Sequence, residues 1–111
     1  MGTWDDSPWG SDAAADWFGA LMDSTRLREV WHEGISVDPD DDRGEIIYAA
    51  AWLFVQLGHV YVWPIETFDE DLERTIQAFR ALRADERLSE GDPQAWTTRI
   101  DGYITELEQR L

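Results

Sequence analysis

The stretch from about Glu45 to Gly58 constrains this chain most. Ile46, Ile47, Ala50, Leu53, Phe54 and Leu57 put apolar side chains on nearly every side of a helix. A helix of that kind is expected to be central and buried, so other elements must pack round it. Its unbroken apolar run, Ile46 to Val55, is too short for a bilayer, which takes about 20 residues. Gly58 is a natural stop at its C-terminal end.

The flanking segments supply the elements to pack. Ser11 or Asp12 can cap a first helix with Ala13, Trp17 and Leu21 on one face, widened by Ala14 and Phe18. Gly19 weakens it slightly. A short helix restarts at Ser24 or Thr25, runs through Leu27, Val30 and Trp31, and ends at Gly34. Residues 35–44 read as an acidic loop, with Pro39 blocking regular structure. Val60-Tyr61-Val62-Trp63 is strand-like in composition but stands alone, and reads as an extended connector before Pro64. Thr67 and Glu70 have capping-box spacing, followed by a stripe of Phe68, Leu72, Ile76, Phe79 and Leu82. Asp92-Pro93 opens a last helix whose stripe is Trp96, Ile100, Tyr103, Leu107 and Leu111. The pattern predicts a single all-α domain over 1–111, a compact bundle of four main helices plus one short helix around the helix at about 45–58.

Charge narrows the function. Twenty-four acids face nine arginines, there is no lysine, and the net charge is −15. Direct nucleic-acid binding is disfavoured, because phosphate affinity comes from basic side chains. Three readings of the acidity stand: hydration in a high-salt (halophilic) host, a codon bias that turns lysine into arginine, or an acidic face that meets a basic protein. There is no cysteine, so disulfides and thiolate metal centres are excluded. The N-terminus shows no secretory pattern and no membrane segment is evident, so a cytoplasmic location is expected.

Motifs for chemistry are sparse. Glu29 and His32, spaced i and i+3, share a helix face as carboxylate-bridged metal sites require, but the second copy is missing. Gln56 and His59 have that spacing with an amide in place of the carboxylate. Glu29, His32 and His59 are thus the candidate metal or hydrolytic set, set against a plain reading of a solvated Glu and a His near a helix end. Asp38, Asp40 and Asp42 alternate as calcium-loop ligands do. Pro39 interrupts them and Ala49 stands where a bidentate Glu belongs, leaving at most a weak cation loop. Asp12 and Asp16 could share a proton if buried, though the first turn of a solvated helix explains them equally. No nucleophile elbow, phosphate loop or dinucleotide fingerprint is present, and no cofactor is expected.

The aromatic lead is less ordinary. Trp4 and Trp9 lie in a Gly- and Pro-containing segment with no amphipathic pattern, and Trp63 precedes Pro64. They read either as plugs folded back on the core or as a partner-binding patch, for which Trp is well suited.

Met1-Gly2-Thr3-Trp4, followed by Ser11-Asp12-Ala13-Ala14-Ala15-Asp16-Trp17, resembles the start of an uncharacterised family of small microbial proteins, domain of unknown function 4259. The Ala-rich helix near residue 49 and the closing Asp92-Pro93-Gln94-Ala95-Trp96 are similar to it too, so the resemblance spans essentially the whole chain. Asp5 replaces a usual Gly and Trp9 a usual Phe. The resemblance implies a helical domain and brings no activity or functional residue with it.

The expectation is a non-enzymatic protein–protein interaction domain, adaptor or immunity-like, that meets a basic protein. The alternatives are a metal-binding or hydrolytic enzyme using Glu29, His32 and His59, and an acidic DNA mimic built on the short row Glu66, Asp69, Glu70 and Glu73. A homodimer is equally compatible with a spare Trp patch.

Overall fold

The computed structural model describes residues 6–38 and 44–111. They form α1 (Asp12–Ser24), α2 (Leu27–Ile35), α3 (Gly44–Leu57), α4 (Phe68–Arg83) and α5 (Pro93–Glu108). The fold is all-α, with no strand among the described residues. Trp4, Asp40 and Asp42 lie outside them.

α3 organises the core. Ile47, Ala51, Phe54 and Val55 meet Trp31 and Ile35 from α2, Phe68, Leu72, Ile76 and Phe79 from α4, and Ile100 and Leu107 from α5. Phe54 touches three aromatic neighbours, Trp31, Trp63 and Phe68, with ring centroids 5.6, 4.9 and 6.1 Å away. Three buried indoles are accommodated because each N–H finds an acceptor. Trp31 Nε1 donates to the Ala50 carbonyl at 2.8 Å, Trp96 to the Leu82 carbonyl at 3.0 Å, and Trp63 to Asp71 Oδ2 at 2.8 Å. The main packing pairs are helices adjacent in sequence: α2 with α3, α3 with α4, and α4 with α5.

Two expectations need correction here. α3 is central but not covered all round: Ile46 and Trp52 are each 45 % exposed, in a row with Ala49 and Gln56. The helix that could have covered more of the core stands apart. α1 packs closely on no other helix and buries none of its residues. Ala14, Ala15, Phe18, Leu21 and Met22 are half-buried, whereas Trp17 is 62 % exposed. At about 100° of rotation per residue, Trp17 sits well round the helix from that inner face. The resulting body is long, 50 × 26 × 20 Å.

Local signals decide the ends of the helices. Ser11 Oγ accepts from the Ala14 N–H at 3.1 Å and Asp92 Oδ1 from the Ala95 N–H at 3.0 Å, so both expected caps form. The capping box at Thr67 does not. Thr67 has φ −116° and ψ 1° rather than an extended backbone, and its N–H bonds back to the Pro64 carbonyl. Its hydroxyl is consequently turned inward and lacks a partner. The connector also differs from expectation. Val62 and Trp63 N–H groups both donate to the His59 carbonyl at 3.0 Å, so Val60–Trp63 winds into turns. With no neighbouring strand to pair with, the β-branched residues take the local hydrogen bonds on offer.

Candidate interaction surface

The turns from Val60 to Glu66 run beside α1, and the two form the walls of an open groove of about 380 Å³. Ala15, Gly19 and Met22 line it from one face of α1, at positions i, i+4 and i+7. The small residues make the space: a Cβ added at Gly19 would meet nothing within 4 Å. Val60 and Ile65 line the opposite wall and are 43 % and 65 % exposed. Tyr61 is exposed beside them. Trp63 and Pro64 belong to the lining as well, and its charged members among the described residues are Asp23 and Glu66, both acids. An exposed apolar groove rimmed by polar groups is a recurring mark of a contact surface.

The groove has a rigid floor because Trp63 is pinned beneath it. Asp71 is the first residue to explain. It is an acid with only 2 % of its side chain exposed. It survives there because its carboxylate is fully used: Arg28 Nε and Nη2 donate to Oδ2 and Oδ1 at 2.9 and 2.7 Å, and the Trp63 indole donates to Oδ2. The Arg28 guanidinium also lies 5.9 Å from the Trp31 ring centre. The hydrogen bonds that it donates to Asp71 favour the charged guanidinium and raise its pKa above the ordinary arginine value. One cluster thereby ties α2, α4 and the Val60–Glu66 turns together.

The C-terminal end of α3 closes in a second cluster. Arg110 Nη1 donates to the Gly58 carbonyl and Nη2 to the Val55 carbonyl, each at 2.9 Å. These satisfy carbonyls that the helix cannot. His59 sits next to them, its ring stacked on Trp9 at 3.9 Å with 17° between the planes. Burial, followed by the nearby Arg110 charge, pulls the imidazole down from 6.5 to about 4. The unfolded chain therefore binds the extra proton first, and stability is expected to fall as pH drops from about 6.5 to about 4, then level off. For a fully buried ring the loss would be about 3 kcal/mol, and the half-exposed ring reduces it to about 1 kcal/mol. Urea titrations of the parent and His59→Gln at pH 7 and pH 4.5 check this. An equal pH dependence in both would place the cause elsewhere.

The residues singled out from the sequence are scattered. Trp63 is 3 % exposed and is core, because Asp71 gives its indole N–H an acceptor, so it cannot itself form an exposed patch. Trp9 is half-buried against His59. The Glu29 carboxylate is held by Arg26 at 2.9 Å, His32 is exposed, and His59 lies under Trp9. The described residues contain no group of three or more His, Asp or Glu placed to hold a metal ion. Asp38 is exposed. Asp69, Glu70 and Glu73 are exposed on the first turns of α4, next to Glu66. The groove itself is not visible in the sequence, where Ala15 reads as an ordinary helix former and Gly19 as a weak helix position rather than as space. No family model matches the chain, and neither a curated protein nor a solved structure matches it.

Proposed function

We propose that this chain is a non-enzymatic interaction domain, adaptor- or immunity-like, that holds a basic partner protein. The observation that carries the reading is how the charges are distributed. Arg26, Arg28, Arg80, Arg83 and Arg110 are already engaged by the chain's own acids. Asp12, Asp16, Asp23, Glu66, Asp69 and Glu70 are exposed and have no arginine at salt-bridge distance among the described residues, and Asp23 and Glu66 stand beside the apolar lining of the groove. Acidic rims of this sort steer a basic partner and select against acidic ones. The likeness to domain of unknown function 4259 belongs to the same reading and contributes a helical fold without an activity.

The test is affinity capture from a lysate of the source cells at native salt, with mass spectrometry of what is retained. A dominant basic protein that is released as salt rises is the expected result, since screening weakens exposed charge contacts. Retention of nothing beyond the bait overturns the reading.

A further inference from the structure

We infer that the groove between α1 and the Val60–Glu66 turns is the seat of an amphipathic basic helix presented by the partner protein. The inference rests on the interaction reading above and goes beyond it by naming the surface and the form of the ligand. Three observations carry it. The groove offers apolar walls: Ala15, Gly19 and Met22 on one side, Val60 and Ile65 on the other. Among the described residues its charged lining is acidic, Asp23 and Glu66, and Asp16 and Asp12 continue along the exposed side of α1. No strand is present among the described residues, so there is no sheet edge onto which an extended peptide could add. A helix laid in the groove fits the remaining features best, because its apolar anchors at i, i+3 or i+4 and i+7 suit two apolar walls while its outer face carries the cations that the acidic rim attracts. Its apolar face would enter between the walls, and its Lys or Arg residues would meet the rim acids. The Trp63–Asp71–Arg28 cluster keeps the floor in place without the ligand, so little ordering would be required on binding.

A designed probe makes the inference testable. The probe is a helical Leu/Lys peptide of about 14 residues, or four turns, with a Leu/Glu peptide of the same pattern as its control. Binding is read by fluorescence anisotropy of the labelled peptide. Two variants of the full chain separate docking from simple charge attraction. Gly19→Leu fills the groove, leaves the charge unchanged and suits a helix better than Gly, so α1 remains folded. Ile65→Asp adds a negative charge at an exposed position.

The expected result is binding of the Leu/Lys peptide alone, weakened about tenfold or more by each variant. Charge attraction without docking predicts the opposite sign for Ile65→Asp, which would bind tighter, and no effect of Gly19→Leu; that outcome overturns the proposal. So does a parent chain that is dimeric by light scattering and becomes monomeric on Ile65→Asp, because the groove would then be filled by a second copy. The broader reading is separable. Should the lysate experiment retain the same basic protein on the parent and on Gly19→Leu, the groove assignment fails and the interaction reading stands.

Discussion

Asp71→Ala is expected to lower the unfolding free energy by about 3–5 kcal/mol, the range for removing one partner of a buried ion pair. A domain of this size is stable by only about 5–15 kcal/mol in total, so the variant should be marginal at best. The reason is what the carboxylate leaves behind. Arg28 loses both of its hydrogen bonds while three-quarters covered, and the Trp63 indole N–H loses its acceptor in a buried position. The comparison variant is the pair Arg28→Met with Asp71→Leu. Replacing both charges by apolar groups of similar size leaves only the Trp63 N–H to satisfy, so the pair should cost less than Asp71→Ala alone. Equilibrium urea unfolding of the three proteins measures this. A double variant that costs as much as Asp71→Ala or more would show that the cluster is not acting as a buried ion pair.

Gly58→Ala should be the second costly change, at about 2–3 kcal/mol. A Cβ there would run into the Phe54 ring and the Phe54 carbonyl oxygen. Neither can retreat. The ring is wholly buried among Trp31, Trp63 and Phe68, and the carbonyl accepts from the Gly58 N–H at 2.6 Å. Gly19 gives the opposite sign for the same chemical change. It lies inside α1 with open space where its Cβ would go, so Gly19→Ala should stabilise by up to about 1 kcal/mol through helix propensity. Thermal unfolding of both variants decides it, and a Gly58→Ala protein as stable as its parent would mean that α3 ends differently.

The caps at Ser11 and Asp92, the stop at Gly58, the stripe of α4 and that of α5 as far as Leu107 were legible in the sequence, because each depends on neighbours within one or two turns; Leu111 lies past the end of α5 and is exposed. The position of α1 was not. Its apolar pattern was counted as a face to bury, but burial depends on which other helix is free to receive it. Asp71 was hidden by its company: beside Asp69 and Glu70 it reads as one more solvated acid at a helix start. A signal for it did exist. Asp71 falls within the stripe of Phe68, Leu72, Thr75, Phe79 and Leu82, and an acid inside an apolar stripe calls for a buried cation. Which of its two readings Trp63 follows was not legible for the same reason, since its burial depends on an acceptor eight residues away. The groove is the least legible element, being made by the absence of side chains at Ala15 and Gly19.

The clamp on the end of α3 has a consequence for how the chain acquires its structure. From α2 onward, packing of helices adjacent in sequence makes most contacts short in sequence, the arrangement that favours fast folding. Arg110 works against that, since its bonds to Gly58 and Val55 span 52 and 55 residues, further than the 43 between Arg28 and Asp71. During synthesis, α2, α3 and α4 can therefore associate in order as they emerge, while the last carbonyls of α3 wait for water to give way to Arg110. Until residues 93–110 have left the ribosome, the α4 surface that later receives Ile100 and Leu107 stays open, and that interval is when the nascent chain is most in need of protection from aggregation.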